Sequence, residues 1–101
     1  MENNVIINIP KNFIVDEVAT FRTKINKLIE EGHTNFIFNF SQCNFIDSTG
    51  LGALVAIHKK CSEKGDSIKL KSLKREVKKL FKLTRLEDIW GKLVYLSLKS
   101  I

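Results

Sequence analysis

Proline is almost missing from this 101-residue sequence: Pro10 stands alone, and glycine occurs at only five positions. That scarcity argues against collagen-like, low-complexity or linker-rich chains. Long apolar runs are missing too, and none approaches the ~18 residues that a membrane-spanning helix needs. The opening residues, Met1-Glu2-Asn3-Asn4, lack the basic region and apolar core of a secretory signal. A cytoplasmic chain without a membrane span is therefore expected. Cysteine is sparse, with Cys43 and Cys61 standing far apart. Without a sign of secretion no disulfide is expected. Together with His33 and His58 the two thiols make no C-x-x-C or H-x-x-x-H spacing, so no metal site is expected. Two separate thiols, buried or half-buried, is the plain expectation.

What is present is ordinary globular material. Hydrophobic residues make up 44% and charged residues 28%, a mix that can bury one core, and the length suits one domain spanning residues 1–101. Charge is unevenly placed around the net of +6: residues 1–58 carry four Lys/Arg against six Asp/Glu, residues 59–101 thirteen against five. A basic half could meet nucleic acid, an anionic membrane or an acidic protein. Its cations alternate with or flank apolar residues, and the one interleaved aromatic, Phe81, reads as core. Base-stacking platforms are therefore not expected, and a solvated face that steers an acidic partner is.

Period changes mark the elements. Residues 5–9 (Val-Ile-Ile-Asn-Ile) are a β-branched run ending at Pro10, and read as a strand. Over residues 16–31 the spacing becomes helical: Val18, Phe21, Ile25, Leu28 and Ile29 share a stripe, and Gly32 marks the stop. Residues 36–40 (Phe-Ile-Phe-Asn-Phe) predict a central strand buried on both faces. A connection over 41–46 leads to a second helix over 49–64, with Leu51, Leu54, Val55, His58 and Cys61 on its inward face and Gly65 at its end. Alternation over 68–73 predicts a strand with one wet face, and 76–83 a helix with Val77, Leu80 and Phe81 inward. Residues 93–96 fit a strand or a helix. Strands alternating with helices predict an α/β fold, a mixed, mostly parallel sheet packed with helices.

The sharpest feature is Asp47-Ser48-Thr49-Gly50-Leu51-Gly52-Ala53-Leu54-Val55, set between a buried strand and a buried helix. The first amides of a helix have no intrahelical partner and present the positive end of its dipole. A phosphate attached there would meet those amides and add about −1.5 to −2 charges beside Asp47. On pattern alone, Ser48 or Thr49 reads first as a plain helix cap worth about 1 kcal/mol, since capping serines are common at helix starts.

Asn44-Phe45-Ile46-Asp47-Ser48-Thr49-Gly50-Leu51-Gly52-Ala53-Leu54 closely resembles the signature of the STAS family, whose soluble members include bacterial anti-anti-sigma factors. The similarity extends to residues 36–41, which look like the family's central strand, and to 77–86, which look like its following helix and turn. The resemblance implies an anti-sigma-factor antagonist that works by partner switching. Unphosphorylated, such a protein binds an anti-sigma factor that is often also a serine kinase, and so frees a sigma factor. Phosphorylation of the serine after the motif's Asp, here Ser48, separates the complex, and a PP2C-type phosphatase resets it. Asp47, Ser48, Thr49, Gly50 and Leu51 would form the partner-binding surface. ATP would sit on the kinase, so no cofactor is implied. The family's Gly-x-Leu-Asp turn is replaced here by Pro10-Lys11-Asn12-Phe13-Ile14, with no acid at Ile14.

An enzyme is not expected. A nucleophile elbow needs Gly-x-Ser-x-Gly, and position 46 is Ile. His58 would lie ~15 Å along the helix axis from Ser48 at about 1.5 Å per residue, beyond hydrogen-bond reach. The Gly-Leu-Gly stretch lacks the lysine of a P-loop. Trp90 suits core filling or an interface anchor. The other open class is a STAS domain serving as scaffold or regulatory subunit in a transport, lipid-trafficking or signalling complex.

Overall fold

Strands with an apolar residue at every second position need a cover on one face, and amphipathic helices supply it. The computed structural model describes residues 4–83. Its elements run β1 (Val5–Asn8), β2 (Asn12–Phe13), α1 (Val15–Glu30), β3 (Phe36–Asn39), β4 (Phe45–Ile46), α2 (Ser48–Glu63), β5 (Ile68–Lys71) and α3 (Arg75–Leu83). Among the described residues β1, β3 and β5 make a parallel sheet in that order, with Val5 beside Phe36 and Phe36 beside Ile68. The α/β alternation read from the sequence is observed, with two further short strands, β2 and β4, inserted before α1 and α2.

Burial alternates along all three strands. Ile7, Phe36, Phe38, Ile68 and Leu70 lie in the core, while Ile6 is 61% exposed and Lys69 and Lys71 are exposed. Since neighbouring side chains on a strand point to opposite faces, the core formed by the described residues lies on one side of this sheet. Burial of residues 36–40 on both faces is accordingly corrected: Phe36, Phe38 and Phe40 are buried, whereas Ile37 and Asn39 are half-buried. Within the core, Phe13 meets Phe21 edge-on at 4.9 Å, Phe21 meets Phe38 at 5.4 Å, and Phe40 meets Phe81 at 6.2 Å. Phe81 is thus core material, as its place in the helical stripe predicts.

Both long helices stop where glycine predicts. Gly32 and Gly65 hold positive φ angles of 101° and 81°, a region that L residues avoid. The Gly32 and His33 amides donate to the carbonyls of Ile29 and Leu28. The Gly65 and Asp66 amides do the same to Ser62 and Cys61. Each is a Schellman closure that satisfies carbonyls at the helix end. Trp90 and the strand or helix read over 93–96 lie outside the described residues.

Cys43 and Cys61 are fully buried and unbridged. Burial raises both thiol pKa values, opposed at Cys43 by backbone hydrogen bonding at Phe45 and helped at Cys61 by the Asp66 charge. Since the thiolate is the reactive form, iodoacetamide at about pH 8 should leave both thiols intact in the folded protein and label both in denaturant. Mass spectrometry reads the result directly. Fast labelling of either thiol without denaturant would contradict the burial.

Candidate functional site

Two short strands that the sequence hides build the site. β2 and β4 pair in parallel, Asn12 beside Phe45 and Phe13 beside Ile46. The connection over 41–46 and the Pro10-to-Ile14 turn therefore each contain a strand. The pairing is held by the Lys11 carbonyl, which accepts from the Asn44 amide at 2.8 Å, and by the Phe13 carbonyl, which accepts from the Asp47 amide at 3.4 Å. Each strand is followed at once by a helix cap, Ile14 for α1 and Asp47 for α2. Parallel pairing therefore sets the two helix starts next to each other, with their positive ends toward the same side.

Capping falls to Asp47. Its Oδ1 accepts from the Gly50 amide at 3.1 Å, while its own carbonyl accepts from the Leu51 amide at 3.1 Å. This is the geometry that satisfies an orphan donor of the first turn. Ser48 and Thr49 therefore occupy the first two helical positions without serving as caps, and both are exposed. Ile14, by contrast, caps α1 with no side-chain hydrogen bond.

Gly50 is buried for a steric reason. A Cβ there would stand 2.7 Å from the Phe13 carbonyl oxygen, 2.7 Å from Phe13 Cδ2 and 2.8 Å from Ile46 Cγ1. Only glycine lets α2 approach β2 and β4 this closely. Leu51, 6% exposed, belongs to the core. Gly52 differs: it is exposed, and a Cβ there would meet nothing within 4 Å. Of the five residues singled out in the sequence, Ser48 and Thr49 face outward, Asp47 is half-buried, and Gly50 and Leu51 support the turn from below.

Val15 and Phe45 escape sequence reasoning. Val15 opens α1 at 59% exposure, and Phe45 on β4 is 53% exposed. Each belongs to the paired strand-to-helix unit that also carries Ser48. Exposed large apolar side chains beside a polar turn are the usual makings of a contact surface. The only signal for them would have been the β2–β4 pairing, and two-residue strands have no period to read.

His58 sits half-buried on the flank of α2 rather than on its inward stripe, and burial lowers its pKa. Among the described residues no cluster of three or more His, Cys, Asp or Glu side chains could hold a metal ion. Nor is any described helix long and apolar enough to cross a membrane.

Comparison with known proteins agrees with this architecture. The STAS domain family matches residues 1–101. The anti-sigma-B factor antagonist of Bacillus subtilis (strain 168) is 33% identical over 88 residues, covering 87% of this chain and 80% of the relative. The crystal structure of a sulfate transporter family protein from Wolinella succinogenes superposes with a TM-score of 0.75 at 22% identity, over 88% of this chain and 72% of that one. That second likeness is one of fold, and it places the same architecture in a protein named for transport. With parallel strands, two helix starts set side by side and a match along its whole length, the chain belongs to the STAS domain family.

Proposed function

We propose that this chain is a cytoplasmic anti-sigma-factor antagonist, switched by phosphorylation of Ser48. The observation that carries the reading is the division of labour at the start of α2. Asp47 does the capping, so the exposed Ser48 hydroxyl is spare. The similarity to the Bacillus subtilis antagonist supports the same reading. In the unphosphorylated state Ser48, Thr49 and the rim of Asp47 dock an anti-sigma factor that is also a serine kinase, with Val15 and Phe45 supplying apolar area. Gly52 leaves room for close approach of the partner backbone. Phosphorylation adds charge beside Asp47, and a desolvating interface then repels. Because the added phosphate meets the positive end of α2, the fold itself is undisturbed. A PP2C-type phosphatase restores the binding form.

The test is incubation with the cognate anti-sigma kinase and ATP, followed by intact mass and fragment mapping. One phosphate is expected, on Ser48, and absent in Ser48→Ala. A chain that binds a partner firmly yet takes no phosphate at Ser48 would instead be a scaffold or regulatory subunit of a larger complex.

A further inference from the structure

A second feature lies at the carboxyl ends of β3 and β5, where parallel α/β sheets commonly hold ligands. The chain leaves β3 through Ser41 and leaves β5 through Ser72 and Leu73, and α3 begins two residues later at Arg75. The two strand ends are tied together, since the Phe40 amide donates to the Lys71 carbonyl at 2.9 Å. Between them opens a cleft of about 610 Å³ lined by Ser41, Ser72, Lys74, Arg75, Glu76 and Lys78. Its volume falls within the range of about 300–1,000 Å³ typical of small-ligand sites. Three cations and one carboxylate line it together with two hydroxyls.

From this cleft we infer that the protein binds a phosphate group, through Arg75, Lys74 and Lys78 with the hydroxyls of Ser41 and Ser72. Donors arriving from two strand ends and a helix suit a tetrahedral, doubly charged oxyanion. A planar carboxylate offers one charge and two oxygens, and leaves part of that set unused. Arginine adds a paired donor fork that fits two phosphate oxygens. Lys74 also reaches away from the cleft: its Nζ donates to Asn44 Oδ1, in the segment that leads into β4. Occupancy of the cleft therefore competes for a side chain that steadies the approach to α2. The inference stands independently of any modification at Ser48.

The experiment is a titration of the ¹⁵N-labelled full chain with inorganic phosphate, chloride holding the ionic strength constant. Saturable amide shifts are expected at Ser41, Ser72 and across the start of α3. Arg75 is exposed, so Arg75→Gln should fold normally, yet it should weaken binding about fivefold by removing a charge-assisted pair. Lys59→Gln, which removes the same charge outside the cleft, should change it less than about twofold. Vesicles of phosphatidylglycerol, compared with phosphatidylcholine, separate the sources. Sedimentation that phosphate competes away assigns the group to a lipid headgroup, and no sedimentation assigns it to a soluble phosphate. Shifts that never saturate, or equal weakening by both substitutions, would overturn the site.

Discussion

Gly50→Ala is expected to destabilise the fold by about 3 kcal/mol or more. The added methyl would meet a backbone oxygen and two side-chain carbons at 2.7–2.8 Å. None of the three can retreat cheaply. The Phe13 carbonyl is fixed by β2 and accepts the Asp47 amide, and the Phe13 ring is wedged against Phe21. Relief requires α2 to lift off the β2–β4 pair, which opens the core beneath Leu51 and Leu54. In a domain of this size such a loss lowers the melting temperature by roughly 12–24 °C. Gly52→Ala is the matched control. It sits two residues away on the same helix with open space around it, and should gain about 0.5–1 kcal/mol from better helix propensity. Thermal and urea melts of the two variants decide the matter. A Gly50→Ala protein within about 1 kcal/mol of the parent would mean that the close approach does not exist in solution.

The same contrast shows what sequence could and could not reveal. Periodicity placed α1, α2, β3 and β5 within a few residues of their observed bounds, because each exposes one face and buries another over several turns or pleats. Gly32 and Gly65 announced both helix stops, since the backbone conformation there all but excludes other residues. The motif around Ser48 was visible, but its internal roles were not. Asp47, Ser48 and Thr49 are three consecutive residues that can each cap a helix, and only the position of the Gly50 amide selects Asp47. Gly50 and Gly52 look alike in sequence, yet one is a contact and the other an opening. β2 and β4 stayed hidden because a strand of two residues carries no alternation, and with them went the reason why Val15 and Phe45 flank the site. The double burial expected of residues 36–40 failed for a tertiary reason. A continuous apolar run looks the same whether helices cover one face of a sheet or two.

Binding should respond to Ser48 far more than folding does. Ser48→Asp is expected to weaken the complex with the anti-sigma factor about 100-fold, since a charge buried unpaired at an interface costs on the order of 2–5 kcal/mol. Its effect on the free protein should be neutral or slightly favourable. Ser48 is exposed at the first position of α2, where a carboxylate gains about 0.3–1 kcal/mol from the helix dipole. Ser48→Ala removes only a hydroxyl that caps nothing, so affinity should stay within about threefold and urea stability within about 0.5 kcal/mol of the parent. The two variants thus separate charge from fold. Calorimetric titration against the partner gives the first quantity and urea denaturation the second. If Asp and Ala bind equally well, the start of α2 is not the docking surface. If Ser48→Asp loses stability along with affinity, the hydroxyl was supporting the fold after all, and its loss would explain the weaker binding without any switch.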